Sequence, residues 1–155
     1  MRGYFMPKAS EAAVIEAIAL VAKAASVIRA DGGTNWQRPV KDAIFRWWDI
    51  RNVWEKSPKR RHSLAARDST QKTTADHAVP NKVMIERIVQ KSSKGEDIRT
   101  IIDSFCEIVV LTKDEDVALN KAGLRSCMPS DWNGKDRYAR YRAVGIAIEE
   151  GEFER

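Results

Sequence analysis

Long uncharged runs are missing from this 155-residue chain. Its most apolar stretch, Ala12 to Val27, is interrupted by Glu16 and Lys23, and no charge-free segment approaches the ~20 residues a membrane span requires. Cysteine is scarce as well: Cys106 and Cys127 are the only two, and they form neither a CxxC pair nor a histidine spacing suited to zinc. That excludes a disulfide framework and a conventional zinc module, and it leaves reduced thiols as the expectation. No Walker loop, GxGxxG, HExxH, GxSxG or EF-hand pattern occurs, which removes the commonest nucleotide, zinc-protease, serine-hydrolase and calcium signatures. Internal repeats and low-complexity segments are absent too, and heptad spacing is confined to the first helix. A cytoplasmic protein without a membrane segment is the expectation.

What is present has the make-up of a globular domain: 43% apolar residues, 32% charged residues and five tryptophans. A chain of this length buries roughly two-thirds of its unfolded surface in one compact unit, so residues 1–155 are expected to form a single domain. The net charge is +5 and is unevenly placed. Arg38 to Arg67 holds nine Lys/Arg against three acids, whereas Glu96 to Asn120 holds seven acids against two bases. A basic half points to an anionic partner, either nucleic acid or an acidic protein surface; a solvated basic helix accounts for the same residues without one.

Apolar spacing predicts an α+β fold, predominantly helical. Ser10 precedes a helix whose stripe is Val14, Ile18, Val21, Ala25 and Ile28, and Gly32-Gly33 ends it. The many alanines of helix 10–30 suit close helix packing, in the core or in a homo-oligomer. A second helix follows from Pro39 to about Lys56, so residues 1–57 form an antiparallel helical hairpin. Residues 58–75 read as a basic connecting arm with one helical turn around Leu64, and 76–148 as a helical and strand core. Within that core, helices are expected at Pro80 to Lys91, Glu96 to Ser104, Lys113 to Gly123 and Asp136 to Ile148. Cys106 to Thr112 is the one clear strand, β-branched and apolar. Residues 149–155 form a tail.

Two groups of residues carry candidate chemistry. In "TTADHAVPNKVMIERIV", Asp76-His77 followed by Pro80 resembles the DHxxP opening of the HNH, or ββα-metal, endonuclease family. The resemblance spans Asp76 to Asn120. It implies His77 as the general base that deprotonates the attacking water, with Asp76 among the ligands of a divalent cation, Mg or Mn. The family's second half is a strand followed by a helix that bears a further ligand. Here "EIVVLTKDEDVALNKAG" has that order, and Asp116 and Asn120, four apart on one helix face, are the metal-ligand candidates. Two predicted helices separate the halves, and Asn81 is the candidate for the family's intervening asparagine. A plain structural account covers the same residues, with Asp76 and Pro80 opening a helix. Glu115 completes a capping box on Thr112 and is set aside from chemistry.

The second group is basic and aromatic. Arg46 and Arg51 share a helix with Trp47, Trp48 and Trp54; Lys59, Arg60 and Arg61 follow in the arm; Arg137 and Arg140 alternate with Tyr138 and Tyr141. Cations neutralise phosphates, and exposed rings stack on unpaired bases, so these seven basic residues are the nucleic-acid-binding candidates. Core packing of the aromatics is the competing account. Three functions remain open on sequence alone: a metal-dependent HNH-like endonuclease, a non-catalytic nucleic-acid-binding or protein-inhibitor module, and a helix-mediated homo-oligomer.

Overall fold

The computed structural model describes residues 10–51, 60–92 and 98–150, leaving aside the side chains of 11, 45–51 and 92. Lys59, the side chains of Arg46 and Arg51, the tryptophans at 47, 48 and 54, and tail residues 151–155 lie outside that description. Within it the fold is helical α+β, with seven helices and a three-stranded mixed sheet.

Helix α1 (Glu11–Ala30) begins where the Ser10 hydroxyl accepts the Ala13 N–H, and it ends at Gly32-Gly33. Gly33 N donates to Ile28 O at 2.8 Å, and a Cβ at Gly33 would lie 2.5 Å from Ile28 Cγ2, so a side chain there would break the turn. Helix α2 (Gln37–Arg51) packs back on α1. Val14, Ile18, Ala22 and Ala25 of α1 and Val40 and Ile44 of α2 are buried against α4 (Asn81–Ser92) and α5 (Ile98–Phe105). This first core is joined to a smaller one made by Val109 and Leu111 of β3 (Ile108–Thr112), Leu119 of α6 (Lys113–Lys121), and Tyr141 and Ile146. Ala78 belongs to the second core and Val79 to the first, so the turn after His77 is the seam between the two halves.

The stretch expected to be an arm carries structure. It contains β1 (Arg61–His62), the short helix α3 (Leu64–Arg67) and β2 (Thr73–His77). Central β3 pairs parallel with β1 and antiparallel with β2, in the register Asp76↔Val109 and His77↔Ile108. Thr-Thr-Ala-Asp-His shows no apolar alternation because β2 is an edge strand, and the β3 ladder supplies what its side chains do not. Ser63, fully buried, caps α3 and donates to Glu115 Oε2 at 2.6 Å. The same oxygen accepts the Thr112 N–H at 2.8 Å and closes the capping box of α6, so Glu115 is committed to structure as expected.

The last helix is shorter than its apolar pattern suggests. α7 spans only Ala139–Ala143, because Gly145 takes φ +77° in a Schellman turn. Gly145 N donates to Arg142 O and Ile146 N to Tyr141 O, which folds Ile146 back onto Tyr141 in the second core. Residues 147 to 149 then run beside β1, with Glu149 N donating to His62 O. Ile28, counted in the buried stripe of α1, is 42% exposed: the buried face centres on Ile18 and Ala25, and a 3.6-residue turn carries position 28 away from it. Among the described residues no helix is long and apolar enough to cross a membrane.

Candidate active site

Residues facing each other across an antiparallel ladder project to the same side, so Asp76 points with Val109 toward the face covered by α6 and α7. There its Oδ2 accepts the Tyr141 hydroxyl at 2.7 Å and an N–H of the Arg140 guanidinium. Arg140 is 1% exposed. Its Nε donates to Ala78 O at 3.0 Å, Nη1 to Leu124 O at 2.9 Å, and Nη2 to His77 O as well as to Asp76. One side chain thus ties the end of β2, the turn after it and the loop after α6. Burial pushes the Asp76 carboxyl above its ordinary value, against the pull of Arg140 and Tyr141, and the charge of Asp116 adds to the rise.

α6 starts directly after β3 and touches β2 as well, which puts half-buried Asp116 on the element beside the strand that bears Asp76, forty residues earlier. Asn120, exposed, follows one turn along the same helix face. Asp76, Asp116 and Asn120 thus lie on two neighbouring elements, β2 and α6. Among the described residues no group of three or more His, Cys, Asp or Glu side chains is arranged around a common ion site. The candidate set differs from such a group, being two carboxylates and a carboxamide. Those are hard oxygen donors, the chemistry Mg or Mn prefers, and the Asp76 carboxylate among them already meets the Arg140 guanidinium.

His77, the last residue of β2, projects to the other side of the strand from Asp76. Burial, then Arg140, then Lys41 of α2 lower its pKa from 6.5 to about 4. It is neutral at pH 7. Among the described residues, the Asn81 carboxamide oxygen, at the start of α4, is buried without a hydrogen-bond partner, an acceptor ready for water or a ligand donor. The His77 shift has a consequence for stability. The unfolded chain binds this proton near pH 6.5 and the folded chain only near 4, so the stabilisation is complete above pH 6.5 and is lost as pH falls toward 4. In chelator, the unfolding free energy is expected to fall by about 3 kcal/mol across that window. Urea titrations of His77→Gln should show that part of the slope gone; an unchanged slope would mean His77 titrates normally.

The basic candidates fare differently. Arg61 Nε and Arg137 Nη1 donate to the two oxygens of Glu107 at 2.8 and 2.9 Å, and Tyr138 donates its hydroxyl to Glu107 at 2.6 Å. Those three donors hold the Glu107 carboxyl below its usual range although burial opposes them. Arg61 also donates to Glu149 O at 2.6 Å. Glu107 thus gathers two cations near the His77 end of the sheet, where its carbonyl accepts the Ala78 N–H, and Glu149 adds a second carboxylate to the cluster. Arg60 is half-buried beside them. Arg140, expected to meet phosphate, is sequestered: it is buried and its donors meet protein acceptors. Sequence reasoning missed Glu107, whose only signal is a carboxylate at the head of an apolar strand. It also missed Lys41, whose effect on His77 depends on how α2 packs.

Comparison with known proteins gives no matching family model, no matching curated protein and no matching solved structure.

Proposed function

We propose that the chain is a metal-dependent phosphodiesterase acting on nucleic acid, with its site on the unit formed by β2, β3 and α6. The observation that carries the reading is the packing of α6 against β2, which sets Asp116, with Asn120 one turn on, on the element beside the strand that bears Asp76. This strand, antiparallel strand and helix order is the one the HNH resemblance implies. Asp76, Asp116 and Asn120 would hold a divalent cation, Mg or Mn, which when bound stabilises negative charge developing on the phosphate oxygens. His77, which the HNH resemblance makes the general base, is neutral at pH 7 but projects to the opposite side of β2 from the Asp76 carboxylate, so its part in activating water is what His77→Ala tests. Arg140 acts as a positioning residue, fixing the carbonyls of His77 and Ala78 and the Asp76 carboxylate. Arg61 and Arg137, both paired with Glu107, would be the basic groups that a phosphodiester backbone meets at this end of the sheet.

A second reading has its own observation. Asp76 is already neutralised by Arg140 and hydrogen-bonded by Tyr141, which suits a carboxylate with a purely structural role. On that reading the chain is a non-catalytic module that binds nucleic acid or an acidic protein surface. Incubation of supercoiled plasmid with purified protein and Mn²⁺ or Mg²⁺ separates the two. Nicking by the wild type that disappears in Asp116→Ala supports the phosphodiesterase. Salt-sensitive plasmid binding with no nicking in either metal rules it out in favour of the binding module.

A further inference from the structure

Helix α1 has a second apolar face. Beside the buried Val14, Ile18, Ala22 and Ala25, the residues Ala13, Ala17, Leu20, Ala24 and Val27 are all exposed, at alternating spacings of four and three. Leu20 is 65% and Val27 66% exposed. That spacing is a heptad seam, which along a 20-residue helix forms a continuous stripe.

We propose that this seam is the contact between two copies of the chain, packed antiparallel. The choice of occupant rests on charge. Two charged residues, Glu16 and Lys23, border the seam, seven residues apart on the same edge and both exposed. When the helix meets a second copy running the opposite way, this edge faces itself in reverse. Glu16 then lies opposite Lys23 of the second copy, and Lys23 opposite Glu16, from a single two-fold axis.

The same register fits the volumes along the seam. It sets Ala17 against Leu20 of the second copy, Ala13 against Ala24, and Ser10 against Val27, so each large side chain meets a small one. A parallel pair would stack Leu20 on Leu20 and Ala17 on Ala17, and it would bring Glu16 and Lys23 against Val21 and Ile28, leaving both charges without a counter-ion. A nucleic-acid strand would find no excess cation here. This inference is independent of the proposed activity.

Sedimentation velocity on the full chain over a concentration series provides the test. The wild type should rise from the mass of one chain toward two, and Leu20→Lys should remain at one. Val117→Lys, at an exposed apolar residue of α6, should leave the association unchanged. Glu16→Lys or Lys23→Glu alone should weaken dimerisation about tenfold, and the double reversal should restore it. Equal helicity by circular dichroism shows that the variants are folded. A wild type that stays monomeric, a double reversal no better than either single change, or equal weakening by Val117→Lys overturns the proposal.

Discussion

Arg140→Met should lower the unfolding free energy by about 3–5 kcal/mol, the cost of breaking a buried ion pair from one side. Typical domains have only about 5–15 kcal/mol in total, so the variant is expected to be partly unfolded at 37 °C. The cause is specific to where the guanidinium sits. It is 1% exposed, and its removal strands the Asp76 carboxylate together with the carbonyls of His77, Ala78 and Leu124. Each unmet buried acceptor costs about 1–3 kcal/mol before relaxation, and methionine fills the volume without offering a donor. Asp76→Asn added to Arg140→Met removes the stranded charge, so the double variant should recover part of the loss in urea unfolding. Additive losses would show that the Asp76 charge is not what Arg140 compensates.

Arg140 also shows why the sequence is uneven as a guide to this molecule. Alternating with tyrosines in "KDRYARYR", it has the local pattern of a phosphate contact or an amphipathic helix. Its buried role follows from a contact with Asp76, sixty-four residues earlier, that no local pattern encodes. The features that were legible are those decided within a turn or two: the Ser10 cap, the Thr112–Glu115 capping box, and the apolar run of β3. Strand β2 was illegible for the opposite reason. Thr73 to His77 lacks a hydrophobic face, and pairing with β3 makes it a strand. In α7 the apolar pattern and Gly145 gave conflicting signals, and the left-handed turn prevailed because it places Ile146 against Tyr141.

The candidate site divides along the same line. Asp76, His77, Asp116 and Asn120 were readable as residue types at suggestive spacings, and antiparallel pairing with α6 laid across β2 is what brings Asp76 toward Asp116. Burial does most to set the protonation of His77, and the charges that add to it, Arg140 and Lys41, come from α7 and α2. Their influence depends on tertiary packing alone.

His77→Ala is the second change with a large expected effect, a loss of about 10²–10⁴-fold in the rate of phosphodiester cleavage at saturating Mn²⁺. Metal affinity should survive, because the proposed oxygen donors belong to Asp76, Asp116 and Asn120; Asp116→Ala should show the reverse, weakened Mn²⁺ binding first and lost cleavage with it. The acid limb of kcat/KM reports the base in the free enzyme, and a base with a pKa of about 4 is still deprotonated well below neutrality. The wild-type profile should therefore stay flat from pH 8 down to about 5, where an ordinary histidine near 6.5 would already have cut the rate more than tenfold. Of the two cations that add to the effect of burial on His77, Lys41 is the exposed one. A phosphodiester anion beside Lys41 would offset its charge and raise the imidazole toward the range in which a general base works best. The acid limb of kcat should then lie above that of kcat/KM. Cleavage that persists in His77→Ala at the wild-type rate would remove His77 as the base, and coincident limbs would remove the phosphate-linked shift.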